Sequence, residues 1–235
     1  YMAAKSGIPT LVQEQNSYPG ITNKILSKVV DKVCVAYDNM TKFFPKNKII
    51  FTGNPIRQDV LEFESKRQLG ISHFNLDENK KTVLVIGGSL GAKTINRTID
   101  KNLLFFAENN LNLIWQTGKT YQKKAEQSVK EKAVKGINAY TFIEEMDKAY
   151  GAADIIISRA GAIAISELCC IGKPTILIPS PNVSEDHQTK NAQAVVNKKA
   201  ALLVKDNEAD SKLVNCLREL IEDARLQDEL AKNIK

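Results

Sequence analysis

Residues 154–192 read DIIISRAGAIAISELCCIGKPTILIPSPNVSEDHQTKNA, and the order of patterns within them decides the fold. The apolar triplet Ile155-Ile156-Ile157 is cut off by Ser158-Arg159-Ala160-Gly161, after which an apolar helix begins. Gly172-Lys173-Pro174 ends that helix, a second buried strand follows over Thr175–Ile178, and a polar loop leads into another helix at Asp186-His187-Gln188. Two consecutive strand–loop–helix units, with polar groups gathered at the loops, predict adjacent strands of a parallel sheet. Such sheets bind ligands at the carboxyl ends of their strands. Glu167 stands out as a carboxylate among Ile163, Ile165, Leu168 and Cys169. Burying it is costly unless a hydrogen bond satisfies it, and a ligand hydroxyl is one group that can do so.

The same alternation extends on both sides. From Lys81 onward, strands are expected at 82–86, 111–115, 137–141, 154–157, 174–178 and 201–204, with helices between them and two closing helices at 208–221 and 223–235. This predicts an α/β fold, a Rossmann-like parallel sheet with helices on both faces and right-handed crossovers. Upstream, a strand at 8–13, a helix at 22–31 packing through Ile25, Leu26, Val29 and Val30, a strand at 32–36, a short helix to Phe44 and a strand at 48–51 read as the last elements of a second α/β domain. A helix from Arg57 to Leu69 and the polar segment 72–81 separate the two. The expected division is 1–56 for the remnant domain, 57–80 for the connection and 81–235 for the complete domain. The chain begins at Tyr1 and its last helix stops at Lys235 without a capping signal, so a fragment truncated at the front, and at the end as well, is expected.

Composition narrows the function. With 43% hydrophobic and 26% charged residues in 235, the chain reads as an ordinary soluble globular protein. No apolar run approaches the roughly 18 residues of a membrane span. Cys34, Cys169, Cys170 and Cys216 lack metal-ligand spacing, and two of them are neighbours on a buried helix, which fits reduced thiols in a cytoplasmic protein. His73 and His187 are far apart, which disfavours a histidine metal site. The net charge of +6 fits nucleic acid, anionic lipid or a phosphorylated small molecule. The basic residues form no single block, however. The densest run, Lys119–Lys135, accompanies Tyr121, Ala125, Val129 and Ala133 at every fourth position and reads as the solvated face of a helix. No nucleic-acid partner is expected.

Several motifs carry chemistry. VLVIGGSLGAKTIN (83–96) places Gly87, Gly88 and Gly91 between a strand and a helix, where glycine allows close approach and the helix N-terminus offers N–H groups to phosphate. A tight turn that needs glycine only for packing is the plainer alternative. The spacing is not GxGxxG, and the next strand ends Trp115-Gln116-Thr117-Gly118 without the acid that a nicotinamide site needs, which argues against NAD. No two aspartates are separated by one residue, so the metal-holding DxD pair is absent and neither a metal nor a cofactor is expected. Arg57, after Gly53-Asn54-Pro55, is a candidate for a diphosphate, or else a surface arginine at a helix start. Gln188 and Asn191 share one face of a helix and suit sugar hydroxyls. The alternative is a polar helix start capped by Ser184 or Asp186. His187 is expected to face solvent.

In order, EQNSYPGITNK (14–24), GNPIR (53–57), IGGSLGA (86–92), FIEEMDKAYGAADIIISRAGA (142–162), SEL (166–168) and DHQTKNA (186–192) resemble the MurG family of peptidoglycan N-acetylglucosaminyltransferases, which have the GT-B fold. The motifs span nearly the whole chain, and their joint occurrence is far more specific than any one alone. The resemblance implies a peripheral enzyme at the cytoplasmic face of the bacterial plasma membrane. It would transfer GlcNAc from UDP-GlcNAc to lipid I with inversion, forming lipid II, in company with cell-wall synthesis and division proteins. It implies that Ile143 meets uracil through its backbone and that Glu167 holds the ribose hydroxyls. Ser89 and Arg57 would contact the diphosphate, with N–H groups around Ala162 and Ile163 assisting and Ala164, Ile165 and Ser166 completing the donor-binding run. Gln188 and Asn191 would address the GlcNAc, and Asn16 would reach it from across the cleft. The catalytic base is not identified: the family's glycine-rich loop ending in histidine is absent, and Glu14 is a candidate cleft residue preceded by Gln13 where many members carry histidine. Turnover by this chain alone is therefore not expected. A non-hydrolysing UDP-sugar epimerase and a UDP-sugar-binding subunit needing a partner chain are the alternatives, with an NAD-dependent oxidoreductase a distant fourth.

Overall fold

The computed structural model describes residues 1–88 and 91–235, and its strands form two wholly parallel sheets. A short helix α1 (Met2–Lys5) precedes β1 (Leu11–Glu14), α2 (Ile21–Leu26), β2 (Lys32–Val35) and β3 (Ile49–Phe51), which pair in the order β1-β2-β3. A 3₁₀ segment (Asp59–Lys66) and α3 (Arg67–His73) lead to the larger sheet. There β4 (Lys81–Ile86) is followed by α4 (Lys93–Lys101), α5 (Leu103–Glu108), β5 (Leu111–Gln116), α6 (Gln122–Lys132), β6 (Ile137–Tyr140), α7 (Met146–Ala152) and β7 (Ile155–Ser158). The chain continues through α8 (Ala162–Ile171), β8 (Thr175–Leu177), α9 (His187–Val196), β9 (Leu202–Leu203), α10 (Ala209–Glu222) and α11 (Ala224–Ile234).

The larger sheet has the order β6-β5-β4-β7-β8-β9. Growth reverses direction between β4 and β7, and a doubly wound sheet leaves a crevice at such a switch point. Alternating side chains supply its two cores. Leu84, Ile114, Ile156 and Leu177 join one apolar cluster, whereas Val85, Leu113, Trp115, Ile155 and Ile157 join the other. Every residue of β5 and β7 is buried, as expected of strands covered on both faces.

Four local expectations are corrected. The first strand begins at Leu11 rather than Ile8, because the Asp31 carboxylate pins Thr10 through its N–H (2.7 Å) and hydroxyl (3.1 Å) where pairing with β2 starts. The helix expected over 22–31 ends at Leu26, where Ser27 Oγ donates to the Lys24 carbonyl and Lys48 Nζ takes the carbonyls of Ser27 and Lys28. Ile25 and Val29 are consequently exposed rather than packed, and Val30 alone of that set is fully buried. The expected short helix ending at Phe44 is a 3₁₀ turn, Met40–Lys42. The helix expected over 57–69 is the 3₁₀ segment plus α3, and both pack on α7. Gly70 and Gly151 permit this close approach: a Cβ on Gly70 would strike the Lys148 carbonyl, and one on Gly151 would lie 2.9 Å from the Phe63 carbonyl oxygen.

Candidate functional site

A cavity of about 460 Å³ opens at the carboxyl ends of β4 and β7, where the sheet reverses. Gly87, Gly88 and Gly91 form one wall, and Ser158, Arg159, Gly161 and Ala164 form the facing one. Only glycine fits at position 91, where φ is +78° and a Cβ would run into the Thr117 carbonyl. Both bordering helices, α4 after Ala92 and α8 after Gly161, start without a side-chain cap. Their first-turn N–H groups and positive dipole ends therefore remain available to an anion. Ser89 lies outside the described residues.

A polar network, unforeseen in the sequence, ties the walls together. Arg159 Nη1 donates to the carbonyls of Ile178 (3.0 Å) and Pro179 (3.1 Å) and lies 2.5 Å from Oδ1 of Asp206. Thr94 Oγ1, in the first turn of α4, donates to Oδ2 of Asp206 at 2.9 Å. The one local signal for Arg159 was an arginine placed directly after a buried strand; Asp206 follows β9 and had none. Gln188 lines the same cavity, and its Oε1 accepts from the N–H groups of Ala160 (3.2 Å) and Ser180 (2.9 Å). His187, expected in solvent, is half-buried, and its Nδ1 is unpartnered among the described residues. Asp186 makes no side-chain cap to α9.

Glu167 lies one turn beyond Ala164 on α8, with its side chain 12% exposed. The hydrogen bond that its burial demands comes at one oxygen from within the protein: the Tyr150 hydroxyl donates to Oε2 at 2.9 Å. Arg57 Nε is 3.9 Å from Oε1 and 3.7 Å from Asp59. The Arg57 side chain is 45% exposed and does not line the cavity, so Arg57 stands beside the carboxylate rather than in the cavity wall. Ile143 is buried, and its N–H is already taken by Oε1 of Gln116 at 3.0 Å, which leaves the carbonyl as its remaining backbone group. The other end of the same amide holds the glycine loop, since Gln116 Nε2 donates to the Gly88 carbonyl at 3.2 Å. Ile165 is buried in the core, and Ser166 Oγ accepts from Asn54 Nδ2 at 3.0 Å. Among the described residues no three His, Cys, Asp or Glu side chains converge as metal ligands.

Residues 82–235 match the glycosyltransferase family 28 C-terminal domain. The chain belongs to glycosyltransferase family 28. It is 52% identical, over its whole length, to the UDP-N-acetylglucosamine–N-acetylmuramyl-(pentapeptide) pyrophosphoryl-undecaprenol N-acetylglucosamine transferase of Flavobacterium psychrophilum, covering 63% of that protein. The protein of the same name from Parabacteroides distasonis is 51% identical, with 100% of this chain and 64% of the relative covered. Among solved structures, MurG of Acinetobacter baumannii superposes with a TM-score of 0.76 at 29% identity, over 99% of this chain and 63% of that one. The chain thus spans about 63% of the length of the curated relatives it matches. Its parallel α/β architecture is the GT-B glycosyltransferase domain of these relatives.

Three residues carried over from the family resemblance sit at the junction of the two sheets instead of in the cavity. Glu14 is buried, and its carboxylate accepts from the N–H groups of Asn16 and Gly20 and from the side-chain amides of Asn16 and Asn23. Its carboxylate thus shapes the turn after β1, with four donors on its two oxygens. Asn191, expected at the sugar, is fully buried: its Oδ1 accepts from Ser17 N–H at 2.8 Å and its Nδ2 donates to Asn16 Oδ1 at 3.0 Å. Asn16 is therefore also engaged within the protein. The physical reason is that the turn after β1 lies against α9, where Ser17 and Asn16 pair with the Asn191 amide. Asn54 Nδ2 makes the parallel link from the 53–57 turn to Gln15 O, Ala162 O and Ser166. No helix of the described residues is long and apolar enough to cross a membrane.

Proposed function

We propose that this chain is the donor-binding part of a peripheral membrane enzyme that moves GlcNAc from UDP-GlcNAc to lipid I, inverting the anomeric carbon and forming lipid II in peptidoglycan synthesis. The observation that carries it is the cavity between the glycine loop and the start of α8, with two uncapped helix N-termini directed at one place. In this reading the diphosphate lies across the glycine loop and the N–H groups of Ala162 and Ile163, with the Ser89 hydroxyl as a further donor and Arg57, beside Glu167, as the nearby positive charge. The uracil takes the Ile143 carbonyl, the ribose hydroxyls go to Glu167, and Gln188 Nε2 faces the sugar. An acceptor hydroxyl attacks the anomeric carbon and gives up its proton to a general base as the bond to the diphosphate breaks. The electron pair leaves on UDP, and fixed N–H dipoles and a guanidinium stabilise the developing charge. Asn16 and Asn191 act by holding the 14–20 turn against the donor side. The division into 1–56, 57–80 and 81–235 belongs to the same proposal, as do the cytoplasmic face, lipid I and partner proteins of cell-wall synthesis.

Thermal unfolding with UDP-GlcNAc, UDP and NAD, each repeated in EDTA, tests the reading. Ligand at 100 times its dissociation constant adds about 2.7 kcal/mol of stability. The expected result is a shift with both UDP compounds that survives EDTA, is absent with NAD and is lost in Glu167→Ala. A cooperatively unfolding sample with no response to millimolar UDP compounds would overturn the donor assignment for this chain.

A further inference from the structure

We propose that Tyr150 is a positioning residue of the donor site: its phenol holds Oε2 of Glu167 so that Oε1 is the atom left to take a ribose hydroxyl. The inference rests on the reading of Glu167 as the acceptor for the hydroxyls of a nucleoside diphosphate. A glutamate carboxylate otherwise turns freely about its last torsion, whose energy profile is broad. A donor can fix it only if the donor is itself immobile. Tyr150 meets that condition. It is 1% exposed on α7, and its own carbonyl accepts from Lys173 Nζ at 2.7 Å. The same ammonium takes the carbonyls of Gly151 and Ala153, which closes the C-terminal end of α7. Gly151 in turn lies against the 59–66 segment too closely for any side chain.

Among the described residues no hydrogen-bond donor reaches the other oxygen. Arg57 Nε is 3.9 Å from Oε1, beyond hydrogen-bonding distance, and its side chain is half-exposed. The phenol is also a constant donor, because burial first, and then the charge and hydrogen bond of Glu167, keep its pKa well above the usual tyrosine range. Tyr150 thus touches no ligand; it presents one oxygen of a carboxylate that does. A rigid supporting residue of this kind governs how sharply a site reads its ligand.

Calorimetric titration of the chain with UDP and with 2′,3′-dideoxy-UDP decides the matter. Wild type should prefer UDP. Tyr150→Phe should weaken UDP about tenfold, the size of one hydrogen bond to a charged group, and leave the dideoxy ligand unchanged, so the preference collapses. A merely structural role would weaken both ligands together, and an unchanged ratio overturns the proposal. Glu167→Asp provides a second variant that keeps the buried phenol and its packing while withdrawing the carboxylate from it. Full retention of the preference in Glu167→Asp also overturns the proposal. Wild type that binds both ligands equally removes the reading of Glu167, and wild type that binds neither removes the donor reading; in both cases the role of Tyr150 falls with it.

Discussion

The two sheets share a parallel plan but not a cover. In the larger one β5 and β7 are wholly buried, and apolar clusters lie on both faces. In the smaller one Leu11, Ile50 and Phe51 are exposed, Phe51 by 64%, and Val30, Val33, Val35, Met40 and Phe44 make its one cluster. Parallel strands ordinarily need both faces covered. The larger sheet is therefore where the stability of this chain resides. The loops of the smaller one are tied to α8 and α9 by hydrogen bonds that cross the junction, chiefly Ser17 to Asn191 and Asn54 to Ser166.

That contrast can be broken by measurement. Ile157→Ala, at a fully buried position of β7, should cost about 2–5 kcal/mol in urea unfolding, the usual range for an emptied aliphatic site. A loss below 1 kcal/mol would mean that the larger sheet is not the stable unit. Asn191→Ala strands the Ser17 N–H and should cost about 1–3 kcal/mol. Hydrogen exchange should then show β1 and β2 losing protection while β4 and β5 keep theirs; equal loss in both sheets would dissolve the distinction.

A smaller effect belongs to the helical cover. The Thr98 hydroxyl and Lys101, with Arg97, hold Asp210 at a pKa of about 2, below its ordinary 3.8, and so fasten α10 to α4. A depressed carboxylate stabilises the fold above its unfolded value and loses that contribution as pH falls through the folded one. Asp210→Asn should thus be less stable than wild type at neutral pH, with the gap closing between about pH 4 and pH 2. A gap that stays constant with pH would rule out the ion-pair account. The smallest change is expected at Phe51→Ser, within about 0.5 kcal/mol of wild type, because the ring is mostly in water already. A large loss there would reveal packing on the bare face.

Much of the larger sheet was legible because its strands are short buried runs and its helices carry a period that local pattern exposes. The glycine loop was legible for a related reason: Gly91 meets a steric demand that no other residue can. The smaller sheet was read less well. Ile25 and Val29 carry helical spacing, yet the Ser27 hydroxyl and Lys48 end that helix early and leave both exposed. At the site, Glu167 could be recognised as needing a hydroxyl, but Tyr150 could not be named as its source.

By itself the sequence determined a parallel α/β chain, the place where its loops gather and an acid that must be satisfied in an apolar helix. Each follows from residues close together along the chain, where hydrophobic period, glycine and proline act directly. The tertiary structure alone decided that Tyr150 holds Glu167, that Asp206 joins Arg159 to Thr94, and that Asn191 clasps the turn after β1. These partners come from separate elements, and the packing of helices on a twisted sheet sets which side chains come within 3 Å. No local pattern encodes that distance.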